Sequence, residues 1–222
     1  MSLILTEVEA RVLGALIEKE ITTPEYYPLS LNALVNACNQ KNNREPVTSL
    51  GEDEVGSAVQ GLRGKQLAEP ISYSGSRVVK YSHTLGEAFN LDRRETAILC
   101  VLLLRGPQTV GELRGRSERM HKFEDLNEVH LTLQRLAKRE PAMAALLVRQ
   151  PGTKEARYAH LLCGPVDAAG PGAMAAAHAE ATAPAGPSDR ERIEELEARV
   201  ASLASEMQEL RAQFAEFRKQ FD

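Results

Sequence analysis

One helical pattern, written twice, limits what this chain can fold into more than any other feature. Glu54-Val55, Val59-Gln60 and Leu62 return as Glu128-Val129, Leu133-Gln134 and Leu136, each 74 residues further on. Apolar residues at i, i+4 and i+7 make one buried stripe along a helix. In both places the helix is followed by an apolar strand, a Gly-containing turn and a second strand with a basic-Tyr pair, Lys80-Tyr81 and then Arg157-Tyr158. The spacing predicts a duplicated module. A chain of 222 residues with 43% apolar side chains has enough material for two small cores.

The first unit, residues 1–88, opens with Thr6 and Glu9 at capping-box spacing, so a helix is predicted to start there. Val8, Val12, Leu13, Leu16 and Ile17 form its inward face, and Arg11, Glu18 and Lys19 are expected outside. Pro24 and Pro28 end that helix in a structured loop. Ser30 is a good cap for a short second helix, and a third is predicted over 50–67, with the small residues Gly56, Gly61 and Gly64 allowing close approach of another backbone. A hairpin through Gly75 closes the unit and carries Arg77 and Lys80.

Residues 89–164 repeat the layout. Asp92 and Glu95 restate the capping box, Gly106-Pro107 stops the helix, Thr109 caps the next, and Asn127 is expected to cap the third. Strands over 145–150 and 156–161 complete a second hairpin, with Lys154 and Arg157 at its tip and side. Three helices and a terminal hairpin, twice, predict a mainly α fold with small β-hairpins, an α+β class in the form of tandem winged helix-turn-helix domains.

Residues 165–188 turn to Ala, Gly and Pro, a linker composition with little to bury. Over 189–222, Ile193, Leu196, Val200, Leu203, Met207, Leu210, Phe214, Phe217 and Phe221 alternate steps of three and four. That is a heptad seam and predicts a C-terminal coiled-coil helix and self-association, with a dimer favoured.

Two polar stretches are candidate binding elements. Asn39, Gln40, Lys41, Asn42, Asn43 and Arg44 form a run of amides and cations that could grip phosphates or base edges, or could equally cap the preceding helix. Arg114, Arg116, Arg119 and Lys122 place four cations within nine residues, where the turn before a recognition helix would fall. A solvated loop with its arginines paired to Glu112, Glu118, Glu124 and Asp125 explains the same run. The net charge of −4 hides an uneven spread. Lys+Arg against Asp+Glu is 8 to 11 over 1–88, 13 to 9 over 89–164 and 6 to 11 over 165–222, so the middle third is the basic one.

Cys38, Cys100 and Cys163 have no metal-ligand or disulfide spacing, and His83, His121, His130 and His160 stand in no catalytic or metal-binding motif. The expectation is therefore no enzyme, no cofactor and no metal. No segment is apolar enough to span a bilayer or to act as a secretory leader, which points to a cytoplasmic location without membrane attachment.

Residues 1–162 resemble the YceH family of uncharacterised bacterial proteins. The resemblance runs through Leu5-Thr6-Glu7-Val8-Glu9-Ala10-Arg11-Val12-Leu13-Gly14, Tyr27-Pro28-Leu29-Ser30-Leu31-Asn32-Ala33-Leu34 and Ala37-Cys38-Asn39-Gln40-Lys41-Asn42-Asn43-Arg44-Glu45-Pro46-Val47, then Glu112-Leu113-Arg114 and Arg119-Met120-His121 before Phe123. It implies tandem winged helices in the cytoplasm and brings no binding residues with it. Two functions from different classes fit. One is a regulator that binds double-stranded DNA through the basic residues named above. The other is a scaffold that holds a protein partner in the winged-helix grooves, similar in layout to the ScpB subunit of bacterial condensin.

Overall fold

The computed structural model describes residues 4–72, 75, 78–149 and 155–165. Over these residues the chain is mainly helical with small antiparallel sheets. The first repeat holds α1 (Glu7–Thr22), β1 (Leu29–Ser30), α2 (Leu31–Cys38), α3 (Glu52–Gly64), β2 (Ala68–Ile71) and β3 (Lys80–His83). A short α4 (Leu85–Phe89), absent from the sequence expectation, leads into the second, which holds α5 (Arg93–Arg105), α6 (Val110–Ser117), α7 (Leu126–Lys138), β4 (Ala144–Leu146) and β5 (Tyr158–His160).

The starts of α1, α3, α5, α6 and α7 follow one rule: a small or capping residue with Glu three positions later. Thr6 Oγ1 accepts from Glu9 N at 3.1 Å, and Glu9 Oε2 accepts from Thr6 N at 2.7 Å. Asp92 with Glu95 and Thr109 with Glu112 do the same, each box satisfying two backbone donors that the helix itself leaves free. The rule also corrects the cap of α7, which is Asp125 and not Asn127: Asp125 Oδ1 accepts from Glu128 N at 2.8 Å. The third helix of the first repeat is shorter than 50–67 because Gly51 is its N-cap and Lys65 its C-cap.

The strands of the second hairpin are shorter than expected, and each hairpin is joined by a segment from before the second helix of its repeat. In the first repeat the sheet order is β1-β3-β2, with Leu29 opposite Tyr81. In the second, Gln108 takes the place of Leu29. Its N–H donates to Tyr158 O at 2.9 Å, and Tyr158 N donates back to Gln108 O at 2.7 Å. β1 was hidden in the proline-containing loop, since two residues are too few to show an alternating pattern.

The two repeats share one hydrophobic core, with α1 packed against α5. Every residue of α1 from Glu9 to Glu18 is buried, as is every residue of α5 from Glu95 to Leu104. This overturns the expectation that Arg11 and Glu18 lie outside: they are 6% and 7% exposed, because the segment after α2 folds over them, Arg11 donating to Pro46 O and Glu18 accepting from Arg44. Gly14 sits at the crossing, where a Cβ would come within 2.9 Å of Leu104 and 3.1 Å of Leu103. Of the α3 glycines, Gly61 lies against the Glu9 carboxylate, whereas Gly64 faces open space.

Candidate functional site

The amide-rich segment after α2 is chiefly a latch. Asn39 Nδ2 donates to Leu50 O and its Oδ1 accepts from Leu50 N, both at 2.8 Å, so one side chain closes the loop. Gln40 Oε1 accepts from Lys19 Nζ at 3.3 Å, and Asn43 Oδ1 accepts from Arg105 on α5. Arg44 is buried and cannot serve as the surface contact expected of it. Its guanidinium donates to Glu18 at 2.7 and 3.3 Å, to Ala37 O at 2.8 and 3.0 Å and to Asn43 O at 2.9 Å. A charge is tolerated there because carboxylate and carbonyl oxygens surround it. Of the six residues, only Lys41 and Asn42 are fully exposed.

The basic run divides. Arg114 is exposed, but its guanidinium folds back onto Phe123 O and Glu124 O, the latter at 2.7 Å. Arg116 lies at the meeting of the repeats, bonded to Gln108, 3.6 Å from Glu112 and 3.8 Å from Glu45. Arg119 and Lys122 are exposed. Arg157 donates to Pro107 O at 2.8 Å and to Glu112 at 2.9 Å, so it braces its strand instead of reaching outward. Burial alone would raise the Glu112 carboxyl, but the Thr109 amide with Arg157 and Arg116 holds it below its usual range. Lys80 is half-buried on β3, while Arg77, Lys154 and the whole heptad seam from Ile193 to Phe221 lie outside the described residues.

Sequence reasoning missed a matched pair of buried clamps. Glu9, already in the α1 capping box, meets Lys65 at the end of α3 at 2.6 Å. Glu95, in the α5 box, meets Arg139 at the end of α7, also at 2.6 Å, and Arg139 donates further to Phe89 O and Asn90 O. Lys65 and Arg139 are 74 residues apart, the displacement of the repeat itself, and that was the signal that could have found them.

The outward faces of the third helices can now be compared. On α3 the residues opposite the buried stripe are Asp53, Ser57, Gln60 and Gly64; on α7 they are Asn127, Leu131, Gln134 and Lys138, all exposed. Together they hold one cation. Leu126 and His130, one turn apart on the edge of α7, face the second hairpin, where the His130 and Tyr158 ring centroids are 6.4 Å apart. Tyr158 stands opposite Leu146 in the β4–β5 ladder. Leu126, Leu131, Leu146 and Val148 are 48%, 48%, 57% and 71% exposed. Exposed apolar side chains therefore lie on α7 and at the end of β4, on either side of the His130–Tyr158 contact, and the outer edge of β4 has no strand partner among the described residues. No described group of three His, Cys, Asp or Glu is placed to hold a metal, and no described helix is long and apolar enough to cross a membrane.

Comparison with known proteins gives the chain its relatives. A family model described as "Protein of unknown function, DUF480" matches residues 5–153. A UPF0502 protein of Koribacter versatilis is 58% identical over 203 residues, which cover 91% of this chain and 92% of that one. One of Pelobacter propionicus is 52% identical over 222 residues, the full length of both. One of Citrifermentans bemidjiense is 60% identical over 167 residues, 75% of this chain and 77% of the relative. With two thirds of its length matched by the family model and close relatives along its whole length, the chain belongs to the DUF480 family, the UPF0502 or YceH group of bacterial proteins.

Proposed function

We propose that this is a tandem winged-helix protein that acts by binding and not by catalysis, and that its second repeat docks a protein segment along the strip formed by Leu126, His130, Tyr158, Leu146 and Val148. The strip carries the reading. Exposed apolar side chains beside an unpartnered strand edge suit an extended, apolar peptide that adds to β4 and lays alternate side chains toward α7. Lys138, exposed in the last turn of α7, favours an acidic residue at one end of that peptide. The first repeat lacks the strip: Glu52 and Gly56 occupy the positions of Leu126 and His130.

The regulator reading keeps one support, the exposed Arg114, Arg119 and Lys122 at the end of α6. Against it stand the exposed Glu52, Asp53 and Glu54 where α3 would meet a duplex, and the engagement of the exposed arginines of these helices with their own chain, Arg63 with Gln60 and Arg135 with Asp92. The heptad seam supports pairing of copies, and the three unpaired cysteines suit the cytoplasm.

Selection from a displayed random-peptide library, run beside filter binding to random duplex DNA from 50 to about 200 mM salt, tests the proposal. Apolar peptides with acidic flanks are expected to enrich, and Leu146→Asp, with the fold intact by circular dichroism, is expected to abolish their binding. Binding to duplex that falls steeply with salt, and weakens in an Arg114→Ala, Arg119→Ala, Lys122→Ala variant, would establish the regulator instead. Peptides indifferent to Leu146→Asp would remove the strip.

A further inference from the structure

Where the two repeats meet, a cleft of about 40 Å³ opens between α1 and the segment after α2 on one side and α5 and α6 on the other. It has room for roughly three water molecules, which excludes a nucleotide or a peptide but admits one oxyanion. Glu18, Thr22 and Asn43 line it from the first repeat, and Arg105, Arg116 and Arg119 from the second.

Charge balance in the cleft is uneven. Glu18 is committed to Arg44, whose guanidinium holds both its oxygens and whose side chain has no exposure. Glu112 is 3.6 Å from Arg116 but lies closer, at 2.9 Å, to Arg157. Glu45 is exposed and 3.8 Å from Arg116. The short contacts of Arg105 and Arg116 go to neutral amide oxygens, of Asn43 and Gln108, and Arg119 has no hydrogen bond or ion pair among the described residues. Burial, followed by the positive charge of Arg116, holds the Arg105 guanidinium below its ordinary range, with Glu45 and Glu18 opposing. Like charges brought together in a partly covered cleft carry a cost that a bound anion removes.

We propose that this cleft binds a single phosphate group, free or at the end of a small phosphomonoester, between the guanidinium groups of Arg105, Arg116 and Arg119. A carboxylate satisfies one planar fork, whereas a tetrahedral dianion offers acceptors to three at once. The bound group bridges the repeats, because Arg105 is itself tied to Asn43 of the first one. It therefore stiffens the junction between the halves. The site is independent of the strip on α7 and β4, and the two proposals fail separately.

Thermal unfolding of the full chain at pH 7, in sodium phosphate and in sodium chloride of equal ionic strength, provides the test. The midpoint is expected to rise with phosphate and to level off as the site fills, since a ligand that binds only the folded state stabilises by mass action. Arg119 has no hydrogen bond or ion pair among the described residues, so Arg119→Ala is expected to leave the midpoint in chloride unchanged while abolishing the gain. Arg119→Lys, which keeps the charge and loses the fork, is expected to weaken phosphate by roughly tenfold. Equal midpoints in the two salts overturn the proposal, and so does an undiminished gain in Arg119→Ala. Calorimetry with glycerol phosphate and with dimethyl phosphate separates the sources. The monoester is expected to compete with inorganic phosphate; a diester that binds as tightly would mark a contact for a nucleic-acid backbone, contrary to the proposal.

Discussion

Charged side chains in this protein spend much of their electrostatics on holding helices to each other. Glu9 and Glu95 each serve two masters: as the fourth residue of a capping box they satisfy a backbone N–H, and as a buried carboxylate they anchor the base that ends the third helix. Removing one member leaves the other buried and unpaired, the costly way to break such a pair. Arg139→Ala is therefore expected to lower stability by about 3 kcal/mol in urea titration, and Glu95→Gln made in the same chain is expected to restore part of that loss. Additive losses in the double variant would show that the two groups are not coupled. Arg11, Glu18 and Arg44 illustrate why such residues were misread. Helical periodicity sets Arg11 and Glu18 off the apolar stripe of α1, but the groups that cover them, Pro46 and Arg44, are 35 and 26 residues further along the chain. No local pattern carries that information.

Among the elements, α1 and α5 matter most, since each is the first helix of its repeat and the main partner of the other. Their starts were legible to the residue, because Thr6-x-x-Glu9 and Asp92-x-x-Glu95 state their capping chemistry in four letters. The same logic, applied one more time, would have placed the α7 cap at Asp125. Their mutual packing was not legible, yet it turns Gly14 into a contact residue. Gly14→Ala is expected to crowd Leu103 and Leu104 at a cost of about 1–3 kcal/mol, against roughly 1 kcal/mol gained in helix propensity, for a net loss. Gly115 on α6 has nothing within 4 Å of the place a methyl group would take, so Gly115→Ala is expected to gain up to about 1 kcal/mol. Denaturation midpoints that move in the same direction for both variants would contradict the close α1–α5 contact.

At the scale of the whole molecule, the likeness of α3 and α7 was readable because a 74-residue register relates their core positions and the bases, Lys65 and Arg139, that follow them. Which residues are exposed was not readable, because exposure is decided by tertiary packing: the amide-rich segment became a latch, whereas Leu126, Leu131, Leu146 and Val148 were left at the surface. The heptad seam from Ile193 to Phe221 adds an expectation about copies of the chain. Leu203→Asp with Leu210→Asp is expected to halve the mass of a dimer in light scattering while the melting of the folded repeats stays as before. An unchanged mass would locate self-association elsewhere, or nowhere.

Finally, the meeting of α1 with α5 makes each half the upholstery of the other. Neither can be lifted out as a portable cassette: cut near residue 88, the polypeptide yields two pieces whose most greasy flanks, on α1 and α5, are turned to water. A rearranged gene that carries one repeat to a new setting must bring its counterpart along, or find it a replacement.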